Sequence, residues 1–314
     1  MPDRTADPPP NPLFVARRVF PCALVAALFI LGLVGCATFG KQRPSTTPAE
    51  HTVQLDRLTV HSDVLIASDH RVLQDLTQLR GDVRKLLELP DSNEPIHVFL
   101  FEDEARYHAF TAKKFPGLPA RRAFFIESDT RLAVYAHWGD RVAEDLRHET
   151  AHGYLHAVAP RIPLWLDEGL AEYFEVPRGR QGENRPHVDE LRAALAVGDW
   201  KPDIARLEKL TAAEAMTQRD YSESWLWAHW LLHESPETRR LLQTYLRSLY
   251  GPDDPHHVKL SDQVRAVSPS GDRPLKALGS FYSDANRNHD SVVGVVPILR
   301  STIPVSTCSK PSLR

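Results

Sequence analysis

The chain has 314 residues, 42% hydrophobic and 25% charged, with a formal charge of −3. That balance is ordinary for a folded globular protein, and the length suits one substantial domain or two small ones. The charge leaves no basic footprint for nucleic acid, so no nucleic-acid partner is expected.

Arg17-Arg18 followed by the uncharged, mostly apolar run from Val19 to Gly35 reads as a targeting segment over residues 1–36. Leu33-Val34-Gly35-Cys36 has the form of a bacterial lipobox, which makes Cys36 the expected lipidation site. The competing reading is an uncleaved membrane anchor, for which the run is at the short limit. Either way the expected setting is the cell envelope, outside the cytoplasm, with membrane attachment through the N-terminus. Of the remaining cysteines, Cys22 falls inside the signal and Cys308 near the end, so the folded domain is expected to be held by its core rather than by disulfides. Residues 37–50, with Pro44 to Pro48, form a polar tether.

From residue 51 the expected domain begins, strand-rich over 51–138 and helical over 139–250. Val53 to Val60 predicts a strand, and the apolar stripe from Val64 to Leu87 predicts a long helix over His61 to Leu89. Pro95 to Phe101 predicts a buried strand, followed by a short helix over Glu102 to Lys114. Ala123 to Ile126 and Arg131 to Ala136 predict two strands around a Glu127-Ser128-Asp129-Thr130 turn. Arg121-Arg122 precede them and read as a charged loop, solvated by default, with contact to a substrate carboxylate as the minority reading.

The next segment carries the chemistry. His148-Glu149-Thr150-Ala151-His152 sits in a stretch whose apolar positions recur every three or four residues, from Val142 to Ala157. Asp140 is the expected N-cap, and Pro160 ends the helix from outside. At 3.6 residues per turn the two imidazoles lie one above the other and can point at one metal, while Glu149 is placed to work on a water as general base. His156 lies about 12 Å along the axis from His148, too far to share an ion with it. The third ligand of such a site comes from a separate segment. Pro163 to Glu175 reads as a second helix, and its Asp167, Glu168 and Glu172 cluster where a carboxylate is needed. Glu168 is the chosen ligand, fifteen residues beyond His152 (168 − 152 − 1). Glu172, one turn later, is expected to hydrogen-bond the far nitrogen of a ligand histidine.

His-Glu-x-x-His paired with Trp165-Leu166-Asp167-Glu168-Gly169-Leu170-Ala171-Glu172-Tyr173 resembles the peptidase MA-like branch of the gluzincin metallopeptidases. The resemblance is strong from about Ile96 to Phe174 and weaker to about Leu249. It implies an α+β fold with a small mixed sheet before the active-site helix and a mainly helical half after it. It also implies one zinc ion, with the glutamate before the glycine, here Glu168, as third ligand. The spacing is shorter than the eighteen residues of the gluzincin aminopeptidases, and their Gly-x-Met-Glu-Asn amino-terminus clamp is absent, which favours an endopeptidase. In that family the strand before the metal helix is a sheet edge on which substrate lies, so Leu132 to Ala136 is the expected substrate edge. A tyrosine facing the zinc would fall on Tyr221, at the start of a helix, with an ordinary packing tyrosine as the competing reading.

Helices are expected over 187–197, 211–218, 220–234 and 236–249, with a Gly- and Arg-containing loop from Pro177 to Pro186. Trp225 and Trp230 read as core, with Trp227 turned partly away, and His229 and His233 as structural. The extension over 251–314 has little periodicity, and Ser283 to Arg314 reads as irregular. The expected activity is hydrolysis of a peptide or protein substrate by a zinc-dependent peptidase. The alternatives are a catalytically inactive zinc-bound or vestigial binding module and a structural envelope lipoprotein. An intact Glu149 counts against the first, since binding alone has no use for it.

Overall fold

Alternating apolar residues in the first half of the chain build one five-stranded sheet. The computed structural model describes residues 46–250 and 258–290, with backbone alone for 282–290. The segments read as signal peptide, Cys36 and most of the tether lie outside the described residues, as does Cys308. Among the described residues no helix is long and apolar enough to cross a membrane.

β1 (His51–Leu55) and β2 (Leu58–Ser62) form a hairpin, followed by β3 (Ile96–Phe101), β4 (Ala123–Ser128) and β5 (Arg131–His137). The order in the sheet is β1-β2-β3-β5-β4, with β2, β3 and β5 parallel and the two outer pairings antiparallel. The single strand expected over Val53 to Val60 is thus a hairpin, turning at Asp56 with a left-handed φ of 51°. The helix expected from His61 starts later, as α1 (Arg71–Leu87). His61 and Ser62 stay paired to Phe99 and Leu100, and Asp63 is held by Arg106 at 2.6 and 2.9 Å.

The sheet has two apolar faces because side chains alternate along each strand. Ile96, Val98 and Leu100 with Leu132, Val134 and Ala136 join α1 and α3 (Val142–His156) in the main core. Phe99, Phe101, Ala133 and Tyr135 face the other way and pack with Phe124 and with Tyr107 and Phe110 of α2 (Glu104–Lys114). Gly153 lets α3 lie close to the sheet: a Cβ there would stand 2.9 Å from Ile96 Cδ1. Asp140 does not cap α3; the N-cap position is Arg141, without a side-chain cap.

One correction bears directly on the site. Leu132 to Ala136 is not an edge, because β5 is hydrogen-bonded to β3 on one side and β4 on the other. The turn after Ser128 folds the two strands back to back, so the free edge beside α3 belongs to β4.

The second half is helical: α4 (Leu164–Phe174), α5 (Arg185–Ala196), α6 (Ile204–Leu207), α7 (Gln218–His233), α8 (Pro236–Ser248), α9 (Leu260–Val267) and α10 (Arg273–Asp290). The helix expected over 211–218 is only a 3-10 turn at Ala213–Ala215. The irregular segment expected from Ser283 begins instead as the last turns of α10. Trp227 is fully buried with Trp225 and Trp230, since its indole N–H reaches the buried Glu223 at 3.3 Å. Gly169 brings α4 against α7 at van der Waals contact: a Cβ there would fall 2.3 Å from the Ser224 carbonyl oxygen.

Candidate metal centre

Two helices supply the site. On α3, His148 and His152 are one turn apart and their Nε2 atoms stand 3.2 Å from each other. From α4, Glu168 turns one oxygen toward both, 3.6 Å from His148 Nε2 and 3.7 Å from His152 Nε2. A tetrahedral ion with donors at about 2.0–2.2 Å holds those donors about 3.3–3.6 Å apart, so the triangle fits a single small cation. His152 and Glu168 are buried and His148 nearly so.

The outward nitrogens explain why the inward ones are bare. His148 Nδ1 lies 3.1 Å from the Glu175 carboxylate, and His152 Nδ1 lies 2.9 Å from Asp167, off the line of a straight hydrogen bond. Carboxylates in those places favour a proton on Nδ1, which leaves both Nε2 lone pairs facing each other and Glu168. Three acceptors converging without a donor are unfavourable unless a cation or a proton sits among them. In the metal-free protein protons fill that role. Burial opposes charge on His148, yet Glu168 and Glu175 outweigh it and lift its pKa well above the ordinary value. His152 is raised in the same way, against burial, chiefly by Asp167.

The residue expected beside a ligand histidine needs correcting. Glu172 does not bond His148 or His152; its carboxylate accepts from His187 of α5 at 2.7 Å. Seven residues make almost two turns, so Glu175 returns to within about 20° of Glu168's direction, whereas Glu172 is about 40° away. Glu175 is itself held by the Asn184 amide at 2.8 Å, and Arg147 Nε donates to its carbonyl at 2.5 Å. His187 passes the chain on to Ser222 of α7 at 2.8 Å. A polar relay therefore runs from His148 outward through three helices. The periodicity of α4 could have picked out Glu175; nothing local marks Asn184 or His187.

Glu149 lies between the two histidines in sequence and close to the same centre. Burial raises its pKa, while the positive charge of His148 and His152 works against the rise. A divalent cation in the triangle would lower it further. Tyr221 of α7 is half-buried, with Glu168, His148 and Arg121 all in electrostatic reach of its hydroxyl. Tyr107 of α2, which sequence reasoning missed, feels the charge of Glu149 and Asp145 through its buried ring. Phe125 of β4 stacks on His152 with centroids 6.0 Å apart, tying the sheet edge to the histidine pair.

His156 stands outside the triangle, between Glu127 at 2.6 Å and Asp167 at 3.0 Å. Those two carboxylates overcome its burial and raise its pKa to about 9. His229 and His233 stack on each other 4.4 Å apart, away from the triangle, and burial drives His229 down to about 3. A cavity of about 670 Å³ lies on the Arg147 side of α3, by Tyr173 and Arg239, and contains none of the three converging residues.

No protein-family model matches the chain, and no curated protein matches it.

Proposed function

We propose that this chain is a zinc-dependent peptidase of the gluzincin kind, cutting within peptide chains. The observation that supports the reading is the convergence of two bare imidazole nitrogens and one carboxylate oxygen, 3.2–3.7 Å apart, on a helix that also carries Glu149. His148, His152 and Glu168 would hold the ion, a donor set of two imidazoles and a carboxylate that suits zinc. The bound ion supplies Lewis acidity and makes a water more acidic.

The residues do the rest. Glu149 takes a proton from the attacking water and returns it to the leaving amine. Tyr221 donates its hydroxyl to the negative charge that develops on the carbonyl oxygen. Glu175 and Asp167 hold the histidine rings in the tautomer that presents Nε2. The free edge of β4 binds the extended substrate through backbone groups. The setting is the cell envelope, with lipid on Cys36, a reading motivated by Leu33 to Cys36 alone. A Cys36→Ser chain that still carried labelled fatty acid would refute that part.

The central test measures zinc content and hydrolysis of a mixed peptide library together. The expected result is one zinc per chain, and a Glu149→Gln variant that keeps zinc while losing about 10²–10⁴-fold in rate. A zinc-loaded wild type no faster than Glu149→Gln would sink the catalytic reading and leave a binding module.

A further inference from the structure

The segment 121–122, just before β4, carries two arginines with different fates. Arg122 is committed: its guanidinium makes three contacts of 2.6–3.1 Å to Asp145. Asp145 lies one turn before Glu149 on α3, so this bond pins the segment beside the site. Arg121 is exposed and has no carboxylate within ion-pair distance among the described residues. Its side chain instead approaches the Tyr221 hydroxyl on α7, and its charge reaches Glu149 and Tyr107. Arg121 thus lies at the Ala123 end of the free edge strand, within electrostatic reach of Tyr221 and Glu149.

That position has a direction. A peptide lying antiparallel on β4 brings its C-terminus to the Ala123 end, while a parallel one brings its N-terminal ammonium there. A guanidinium without a carboxylate partner attracts a terminal carboxylate and repels an ammonium. Phe125 marks the level of His152 along the strand. Arg121 is four residues earlier, at most about 13 Å of extended chain, which leaves room for no more than about three residues.

We infer that Arg121 binds the C-terminal carboxylate of a substrate laid antiparallel on β4, so that the preferred cut falls within about three residues of a free C-terminus. This rests on the peptidase reading above and narrows it from cutting within peptide chains to releasing short C-terminal fragments.

The test uses the full chain and labelled peptides of five to eight residues, each made as free acid and as C-terminal amide. Binding is read by fluorescence anisotropy in the Glu149→Gln background, and cleavage sites are read with the zinc-loaded wild type. The expected result is at least tenfold tighter binding of the free acids, a ratio that falls to within twofold when Arg121→Gln is added. Arg121→Lys, which keeps the charge without the fork, should restore part of it. Cleavage should fall within three residues of the free C-terminus. Equal binding of acid and amide, no binding of either, or a preference that survives Arg121→Gln would overturn the inference. If the Arg121-dependent preference holds while wild type cleaves nothing, the peptidase reading fails and the carboxylate site stands.

Discussion

Two buried polar clusters hang on the helical half, and they are built on opposite principles. At the middle of α7, Glu223 is fully buried and accepts from Trp200 Nε1 at 2.8 Å, the Asp203 amide at 2.6 Å, Arg206 at 2.8 Å and Trp227 Nε1 at 3.3 Å. Every lone pair there meets a donor, so the cluster is complete and holds helices together. At the crossing of α3 and α4, Glu168 meets two imidazole nitrogens and, among the described residues, no donor within hydrogen-bond distance. Both sites are buried carboxylates beside aromatic rings. Only the first has a donor for each lone pair, and under the proposed reading the second would serve a cation instead.

The largest effects separate the two clusters outright. Glu223→Ala strands two indole N–H groups and the Asp203 amide, while half-exposed Arg206 keeps Asp220 at 2.6 Å, and should cost about 3–5 kcal/mol in denaturant unfolding. Zinc affinity of the folded fraction should hardly move. Glu168→Gln should lower zinc affinity at least about a hundredfold, or roughly 2.7 kcal/mol, and should cost the metal-free chain less than Glu223→Ala, the loss being confined to the pH range in which Glu168 supports the protonated imidazoles. If both variants destabilise the metal-free chain equally, the contrast collapses and Glu168 is a structural residue. One step outward, Glu175→Gln should weaken zinc binding by about 10–100-fold, and Glu172→Gln by less, because Glu175 bonds His148 directly whereas Glu172 bonds His187 and acts on His148 only through its charge. Equal losses would return Glu172 to direct contact. Gly169→Ala tests the alignment between the clusters: its Cβ meets the Ser224 backbone, so α4 must shift from α7 at a cost of about 1–3 kcal/mol.

The same contrast explains what could be read in advance. His148, Glu149 and His152 were legible because one helix fixes their spacing, and Glu168 because a second helix follows within a short connection. Strands at Ile96 and Ala123, and the helices α3, α4, α7 and α8, were legible from apolar periodicity. What failed depended on partners remote in sequence. The α1 start is set by the pairing of Ser62 with Leu100 and of Asp63 with Arg106, and the sheet edge by β4 folding over β5. Glu223 looked like any helix glutamate, because its donors arrive from Trp200, Asp203 and Arg206. Arg121 and Tyr107 reach the centre only through tertiary folding.

The smallest effect is also the most specific to an acceptor cluster that holds protons in place of a metal. Burial disfavours charge on His148 and His152, but Glu168, Glu175 and Asp167 raise both pKa values above 6.5 in the metal-free protein. A raised folded pKa contributes stability that is fully present below about pH 6.5 and is lost as pH climbs through the folded values. Zinc needs the same two Nε2 atoms deprotonated, so its binding strengthens over that window. The melting temperature of chelated protein should therefore fall more steeply as pH rises above 6.5 than that of zinc-loaded protein, and the gap should widen. His156, raised to about 9, loses its contribution in both forms and largely cancels in the difference. A gap of even 1 kcal/mol is readable, since it moves the melting temperature by about 2–4 °C in a domain of this size. The completed Glu223 cluster offers no such exchange of protons for metal, so Glu223 variants should keep the pH dependence of the gap. A gap that stays constant with pH would mean that the two imidazoles are not sharing their lone pairs with an ion.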